Sequence, residues 1–480
     1  MADKDVKGIT ILKDEDISGW YEQVCLKSEM VDFGSVKGTM VIRPRGYFVW
    51  ESIQNFFNKN IVEKFNVSNA YFPLFIPESF FAKEASHAEG FSPEVAWLDK
   101  KLTGEGERLA VRPTSETIMY DSYSRWIRSY KDLPLKINQW CNVVRWESQA
   151  TKLFMRSREF LWQEGHCVYE SEEECDKDTL NYIKGYQKLA EELLAIPTIL
   201  GRKSEREKFA GAKYTYTIEA FMPDGKALQC GTSHNLGTGF AKAFGIEYVG
   251  RDEKKHLPWQ NSWGLSTRLI GGMIMTHSDD KGLVLPPKVA KNKIVIVPLL
   301  FKGKEDGVLA VAKDLEKKLK KFGVILDDRT EYKPGAKFGE WEMKGVPLRL
   351  EVGPRDVEAG EVIVVRRNDG EKLSLKLGDV AREIPGILDR MHSQMLEKAK
   401  NFFEGRVVDV KDFAEFEKVI KEKGIVRMNW CGDESCEDAI KEKTGASTRC
   451  MPLDEKGKVE GKCLHCGKEN EWLMYFSRSY

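Results

Sequence analysis

The sequence contains no long hydrophobic run. Its longest apolar stretch, residues 294–301, has eight residues and includes Pro298. Because a helix that crosses a bilayer needs about 20 apolar residues, we expect no membrane partner. The amino-terminal segment MADKDVKGIT also lacks an apolar stretch of signal-peptide length. We therefore expect the protein to be cytoplasmic.

An excess of charge of one sign is absent as well. The 75 Lys and Arg residues balance the 75 Asp and Glu residues. This balance argues against a protein that coats nucleic acid over its whole surface. Residues 281–400, however, contain 25 basic and 19 acidic residues, which is a local net charge of +6. A basic surface confined to this segment is therefore predicted.

Cysteine is too sparse for a disulfide scaffold, with ten residues in a chain of 480. Two close pairs nevertheless occur near the end of the chain, with the spacings C-x4-C and C-x2-C: Cys431, Cys436, Cys463 and Cys466. Four thiolates in two pairs suit a tetrahedral structural zinc ion, and we predict that site here. Cys450 and His465 are alternative ligands, and free thiols are the alternative interpretation.

Signatures of the common nucleotide-binding folds are also missing. Neither GxxxxGK[ST] nor a strand-linked GxGxxG is present, which argues against a P-loop or a dinucleotide site. Arg145 and Glu147, however, lie two positions apart on a predicted strand, so their side chains share one face. A solvent-facing ion pair would explain those two residues alone. Arg156 and Arg268 add further guanidinium groups, and such a set favours a polyphosphate substrate.

Apolar periodicity predicts an α+β domain with an antiparallel sheet in the first half of the chain. A helix is predicted over residues 47–65, followed by a strand over residues 67–76 whose Pro73 requires a sheet edge or an interface. The remaining predictions are a hairpin (138–147 with 158–169), a helix that begins after Ser171, a second hairpin (214–221 with 227–234) and a strand leading into a helix (260–277).

The pattern changes after Pro287. Residues 294–301, 305–322 and 324–327 read as strand, helix and strand, and this alternation predicts a separate α/β domain. The cysteine pairs fall in a third, smaller α/β unit. We therefore expect a catalytic domain over residues 1–284, a second domain over 285–402 and a zinc-bearing C-terminal domain over 403–480.

Several segments together resemble a known family. Pro73, Arg145-Trp146-Glu147 with Arg156, and the segment WGLSTR ending at Arg268 are similar to motifs 1, 2 and 3 of class II aminoacyl-tRNA synthetases. More specific segments resemble prolyl-tRNA synthetases of the eukaryote- and archaea-like type: RPTSET (112–117), NQWCNVVRWE (138–147), REFLWQEGH (158–166), KFAGAKYTYTIEA (208–220), GTSHNLG (231–237) and QNSWG (260–264). The resemblance covers nearly the whole chain.

The resemblance implies an ATP-dependent, two-step reaction. Proline attacks the α-phosphate of ATP to give prolyl-adenylate, and the prolyl group then moves to tRNA(Pro). Arg145 and Arg268 would be the catalytic residues, because fixed cations stabilise the charge that develops during in-line displacement. The implied ATP-binding residues are Arg145, Glu147, Arg156, Ser157, Gln229, Thr232, Ser266, Thr267 and Arg268.

The resemblance also implies a proline pocket and a magnesium ion. Glu116 would pair with the charged amine of proline. The implied proline-binding residues are Thr114, Glu116, Arg145, Phe160, Trp162, His166, Thr232 and His234. Phe160 and Trp162 read equally as core residues, and His234 as a structural histidine. Gln229 would contribute to the Mg²⁺ site, although a neutral strand residue is an equal interpretation.

The implied partners are tRNA(Pro) and a second copy of the chain. The segment after residue 285 would bind the anticodon, with Arg349, Arg355, Arg366 and Arg367 as candidates. Motif 1 implies a homodimer, and the terminal Tyr480 would approach the active site. Three alternatives stay open: another class II synthetase of the same subclass, a catalytically silent synthetase-like tRNA-binding regulator, and a zinc-dependent nucleic-acid module.

Overall fold

The computed structural model describes residues 8–85, 95–99, 101, 106–146, 150–453, 461–469 and 472–480. Its α-helices are Ile17–Lys27, Pro44–Phe57, Glu78–Ala85, Glu116–Trp126, Glu172–Glu192, Gly239–Phe244, Arg268–His277, Glu305–Leu319, Pro334–Met343, Pro354–Ala359, Val380–Glu404, Phe413–Lys421 and Glu434–Thr444. A π-helical turn, Asn58–Val62, extends the second helix. Short 3₁₀ turns are Tyr130–Asp132, Pro287–Val289 and Lys320–Phe322. Within this described part of the chain, no helix is both long and apolar enough to cross a bilayer.

A twelve-stranded sheet forms the centre of the molecule. Its main path runs through the strands Val407–Asp409, Ile425–Trp430, Trp472–Ser479, Lys226–Gly237, Trp259–Ser266, Glu159–Tyr169, Leu135–Val144 and Ser68–Asn69. The strands Tyr214–Phe221, Ile199–Arg202, Met451–Pro452 and Ser447–Thr448 branch from this path. Both predicted hairpins are therefore present, and the expected antiparallel α+β fold is confirmed.

One long helix covers the back of this sheet. Ser171 caps its first turn by accepting a hydrogen bond from the backbone N–H of Glu174, as the sequence predicts. Tyr182 on this helix stacks on Trp263 of the sheet at 4.0 Å between ring centroids. A Cβ atom at Gly165 would lie 2.1 Å from the same indole, so this strand position has no room for a side chain. The helix and the two strands therefore pack as one layer on another.

Two strand predictions are wrong in their extent. The predicted strand over residues 67–76 is two short pieces, Ser68–Asn69 and Phe75–Pro77, with Pro73 between them. Because proline lacks a backbone N–H, the ladder is interrupted there. The strand Leu135–Val144 ends before Arg145, so Arg145 belongs to a loop rather than to a strand face. Glu147 lies outside the described residues.

The second domain is an α/β unit with a five-stranded sheet. Its strands, in spatial order, are Val324–Leu326, Ile294–Pro298, Leu348–Val352, Glu361–Arg366 and Lys372–Lys376. The first three are parallel and the last two antiparallel. The predicted strand–helix–strand alternation after Pro287 is thus present, with a buried aliphatic core of its own.

The C-terminal unit is not set apart from the catalytic sheet. Its last strand, Trp472–Ser479, pairs in parallel with Lys226–Gly237 at Lys226–Arg478 and Ala227–Ser479. The unit keeps a separate apolar core, but its strands continue the catalytic sheet. Three further two-stranded ladders complete the fold: Val31–Phe33 with Met40–Ile42, Phe75–Pro77 with Leu109–Val111, and Tyr248–Val249 with Lys255–His256.

Candidate active site

One face of the central sheet gathers most of the predicted site residues. Residues that lie directly opposite in an antiparallel ladder share a face. By this rule, side chains from three strands share this face. They are Trp162, Glu164 and His166 on the first strand, Gln229, Thr232 and His234 on the second, and Glu219, Thr217 and Thr215 on the third. Gln229 and Thr232 are three positions apart and would normally face opposite ways. A register shift between Gln229 and Gly231 restores the shared face.

Glu116 and Thr114 lie at the rim of this face. Glu116 begins the helix Glu116–Trp126 and is almost fully buried. The Thr114 hydroxyl donates a hydrogen bond to its carboxylate. A carboxylate at a helix N-terminus is also favoured by the helix dipole. Glu116 therefore presents a fixed negative charge towards the interior of the sheet.

Glu164 is a buried residue at the centre of the site that the sequence prediction missed. Its carboxylate accepts hydrogen bonds from the backbone N–H of Ser115 at 3.2 Å, from the Ser115 hydroxyl and from Gln139 Nε2 at 3.0 Å. His166 Nε2 lies 3.3 Å from the same carboxylate. The spacing Trp162, Glu164, His166 could have identified it, because alternate strand residues share a face.

The Glu164–His166 pair shifts the pKa of both groups. Burial alone would raise the pKa of Glu164, but the hydrogen bonds from His166, Ser115 and Gln139 outweigh burial and hold that pKa below its usual value. Burial would lower the pKa of His166, but Glu164 and the nearby Glu116 raise it instead. The candidate amine-binding end of the site therefore holds a charged pair and an additional carboxylate.

His234 has the opposite character. Its ring lies 4.7 Å from the Phe209 ring, and its Nδ1 lies 2.9 Å from the Thr215 hydroxyl. Burial, together with the charge of His166, lowers the pKa of His234 to about 3. A neutral imidazole packed against an aromatic ring is suited to line a compact apolar pocket.

Arg145 lies beside the two predicted pocket aromatics. Its guanidinium carbon is 5.6 Å from the Phe160 ring centroid and 5.4 Å from that of Trp162. Arg145 Nε donates to the Pro113 carbonyl at 3.1 Å, which ties the loop after the strand to the segment before Glu116. The structure therefore brings Arg145, Phe160 and Trp162 together.

Arg268 and Arg156 supply further positive charge. Arg268 Nε donates to the Met155 carbonyl at 3.0 Å, next to Arg156 in the motif 2 loop. Burial lowers the pKa of Arg268, and the neighbouring charges of Arg156 and Arg145 lower it further. Arg145 and Arg156 therefore both repel the buried guanidinium of Arg268, and a bound polyanion would relieve that repulsion.

The small hydroxyl residues flank these arginines. Ser266 Oγ accepts a hydrogen bond from the backbone N–H of Arg268 at 3.2 Å. The Ser157 hydroxyl donates to the Glu159 carbonyl at 2.8 Å. The Thr267 hydroxyl is buried, and no protein partner is found for it among the described residues.

The four paired cysteines form a separate cluster. Their sulfur atoms all lie within 4.8 Å of one another, with separations of 3.7 Å for Cys436–Cys463 and 3.6 Å for Cys431–Cys466. Tetrahedral zinc with Zn–S bonds of about 2.3 Å requires sulfur separations of about 3.8 Å, so the cluster fits that ion. Cys450 is outside the cluster, because it packs against Gly201 of the catalytic sheet. His465 Nδ1 is 3.1 Å from Cys436 Sγ.

Three of the four anticodon candidates are used inside the protein. Arg349 pairs with Glu342 and Glu351, and Arg366 pairs with Asp369 and Glu371. Arg367 pairs with Asp279 of the catalytic domain at 2.6 Å. Arg355 alone among the four is exposed. The local excess of basic residues therefore did not identify which arginines are exposed.

Three family models match successive segments of the chain. Residues 99–277 match the tRNA synthetase class II core domain (G, H, P, S and T). Residues 293–386 match the anticodon binding domain, and residues 413–480 match the prolyl-tRNA synthetase C-terminal domain.

Relatives with curated names and solved structures match over nearly the full length. Proline--tRNA ligase from Alkaliphilus oremlandii is 49% identical over 468 residues, which covers 97% of this chain and 96% of that protein. Proline--tRNA ligase 2 from Bacillus thuringiensis is 47% identical over 485 residues and all of both chains. The prolyl-tRNA synthetase of Cryptosporidium parvum, crystallised with L-proline and AMP, superposes with a TM-score of 0.93 at 42% identity, covering 98% of this chain and 97% of that one.

Proposed function

This chain belongs to the prolyl-tRNA synthetases of class II and catalyses the ATP-dependent attachment of proline to tRNA, and we propose that one face of its central sheet holds ATP and proline in two adjoining subsites. The observation that carries this proposal is the alignment of Thr232 and His234 with Glu164 and His166 across the strand Trp259–Ser266, with Gln229 on the same face. The arginines lie towards one end of the face, and Glu116 and Glu164 lie towards the other.

The ATP subsite is proposed around the three arginines. Arg145 is suited to bind the α-phosphate and the proline carboxylate together, because it lies between the motif 2 loop and the segment before Glu116. Arg156 and Arg268 would hold the outer phosphates, with Ser157, Thr232, Ser266 and Thr267 beside them. By the family resemblance, Glu147 would bind the adenine. In this arrangement the arginines would hold the proline carboxylate in line with the α-phosphate, and their positive charges would stabilise the negative charge that develops in the transition state.

The proline subsite is proposed between Glu116 and His234. Glu116 and Thr114 would bind the secondary amine, whose two N–H donors match a carboxylate and its neighbouring hydroxyl. His166, held by Glu164, would shape the floor of the subsite. Phe160, Trp162 and neutral His234 would enclose the apolar ring.

Magnesium and zinc have different proposed roles. Mg²⁺ usually enters such sites with the phosphates and takes only one or two protein ligands. Gln229 is half-buried on the active face and offers one amide oxygen, which fits that requirement. The ion would neutralise phosphate charge. Cys431, Cys436, Cys463 and Cys466 would hold a structural zinc ion, since all four sulfur atoms are used and none of the active-site residues lies among them.

A homodimer and an anticodon-binding role are proposed for two further surfaces. Around Pro73, Tyr71 is 70% exposed and Phe75 is 45% exposed, a pair of aromatics that a second copy would cover. The domain over residues 285–402 would bind tRNA(Pro) at its anticodon, as its family model and the net charge of +6 over residues 281–400 suggest. We further propose the domain boundaries 1–284, 285–402 and 403–480, the eukaryote- and archaea-like subtype and a cytoplasmic location. No disulfide joins the ten cysteines, all of which lie in the described residues, and this suits a reducing compartment.

Amino acid-dependent exchange of pyrophosphate into ATP tests the proposed function. With each of the twenty standard amino acids supplied in turn, proline alone should support rapid exchange, and E116A should lose most of it. Exchange supported better by threonine or serine would favour another synthetase of the subclass. Charging of tRNA without exchange would contradict the adenylate route, and neither activity would favour the silent regulator.

A further inference from the structure

An arginine from the C-terminal unit reaches the active face of the catalytic sheet. Arg449 lies between the strands Ser447–Thr448 and Met451–Pro452, and its backbone N–H donates to the Tyr475 carbonyl at 2.7 Å. Its Nη2 donates to Glu219 Oε2 at 3.0 Å, and its Nε lies 3.3 Å from the same oxygen. Its Nη1 donates to Ser447 Oγ at 3.0 Å, so the guanidinium plane is fixed from both sides.

Glu219 is enclosed by a second cation. Lys203 Nζ donates to Glu219 Oε1 at 2.7 Å, and the Thr217 hydroxyl donates to the same oxygen at 3.0 Å. The side chains of Lys203, Glu219 and Arg449 are all less than a tenth exposed. Taken alone, this buried triad of two cations and one anion carries one net positive charge, and the carboxylate of the half-buried Glu207 also acts on both cations. Burying unbalanced charge is costly; Glu207 offsets it from its half-buried position, and an anion on the active face would offset it further.

The position of the triad identifies that anion. Glu219 lies directly opposite Gln229, so both side chains are on the active face. Glu219 also acts electrostatically on Arg268. The triad is therefore adjacent to the proposed phosphate end of the ATP subsite, on the side away from Arg145.

We propose that Arg449 is a positioning residue for ATP: the C-terminal unit fixes Glu219 through it and keeps one net positive charge under the bound phosphates. This inference rests on the proposed ATP subsite. The C-terminal unit would then contribute to the activation of proline by ATP. Its cysteine cluster alone does not indicate such a role.

A purely structural role makes a different prediction. Other contacts join the same two units, including the hydrogen bond between Ser204 and Thr448 at 3.2 Å. Arg206 and Asp438 form a further ion pair between the units at 2.8 Å, with both side chains nearly half exposed. R206M therefore serves as the matched control. It also removes an arginine–carboxylate pair between the two units, but that pair is far less buried than Arg449 and Glu219.

The experiment uses the net charge of the triad. R449M leaves the triad neutral, E219Q leaves two positive charges, and the double variant E219Q/R449M restores one. In proline-dependent pyrophosphate exchange, we expect R449M to raise the KM for ATP about tenfold and E219Q to lower it, since two unit charges about 12 Å apart in a protein interact by about that factor. The double variant should return to within about threefold of wild type, and the KM for proline should stay within about twofold throughout.

Several results would overturn the inference. An unchanged KM for ATP in R449M, a shift in the same direction in both single variants, or an equal shift in R206M would each assign Arg449 to structure alone. R449K keeps the charge and should keep the KM for ATP. If R449M fails to fold, E219Q carries the test, because a KM for ATP that does not fall in E219Q would also overturn the inference. Absence of exchange in the wild-type protein would instead refute the proposed function, and the two failures are thus distinguishable.

Discussion

At the scale of single residues, the buried pair Glu164–His166 decides how the proposed proline subsite is charged. Both side chains are at most 2% exposed, and each shifts the pKa of the other. The pKa of Glu164 is held below 4.5 when folded, so its contribution to stability is present above that pH and is lost as pH falls. The pKa of His166 is raised above 6.5, so its contribution is present below that pH and is lost as pH rises through the raised value.

E164Q should therefore destabilise the fold most between pH 4.5 and 6.5, where both partners of the wild-type pair are charged. We expect a loss of about 2 kcal/mol in the free energy of unfolding there, the size of a buried charged hydrogen bond, and a smaller loss outside that range. Denaturant titrations at a series of pH values measure this difference. NMR titration should also find a lower pKa for His166 in E164Q. A pH-independent loss would mean that the pair is not charged.

At the scale of elements, local signals were predictable and non-local pairings were not. The Ser171 cap, the turn before Lys226–Gly237 and the strand-to-helix step at Arg268 depend on nearby residues, and all three are present. The end of the strand before Arg145 could not be predicted, because it depends on how that loop meets Pro113. The pairing of Trp472–Ser479 with a strand more than 200 positions earlier could not be predicted either. The alternation of apolar and polar residues along a strand indicates which side chains are buried, but it does not indicate which strand is the neighbour.

The cysteine cluster gives a prediction about one such element. If zinc closes the cluster, C463S should lose the metal and lower the melting temperature, because a structural site contributes its binding energy to folding. Mass spectrometry of protein prepared without chelators should find about one zinc per wild-type chain. C450S is the matched control: Cys450 is buried in the same unit but outside the cluster, so this variant should retain zinc. Wild-type protein with far less than one zinc per chain would contradict the assignment.

At the scale of the whole molecule, three cores are joined at specific contacts rather than by linkers alone. Arg367 of the second domain pairs with Asp279 of the first, and the C-terminal strand continues the catalytic sheet. Tyr480, the last residue, donates to Asp224 at 2.6 Å and lies near Lys152 of the motif 2 loop. The family resemblance implies that Tyr480 approaches the active site. The physical reason for the position of Tyr480 is the pairing of the strand Trp472–Ser479 with Lys226–Gly237.

The motif 1 segment links the proposed dimer to the active site. Arg112 donates to the Phe72 carbonyl at 2.8 Å and to the Asn142 carbonyl at 2.9 Å, and it lies 5.4 Å from the Tyr71 ring. A surface aromatic is therefore connected through one buried arginine to the strand that precedes Arg145. If a second copy covers Tyr71, dimer formation should hold this connection in place.

Y71D should accordingly shift the protein from dimer to monomer, because a carboxylate buried against an apolar partner surface is strongly disfavoured. Sedimentation velocity at micromolar concentration measures the change, and exchange activity should fall in parallel with the dimer fraction. F301D is the matched control, since Phe301 is 61% exposed but lies in the second domain, away from motif 1. A wild-type monomer, or a Y71D protein as dimeric as F301D, would remove this face from the interface and leave Arg112 as a link within one chain.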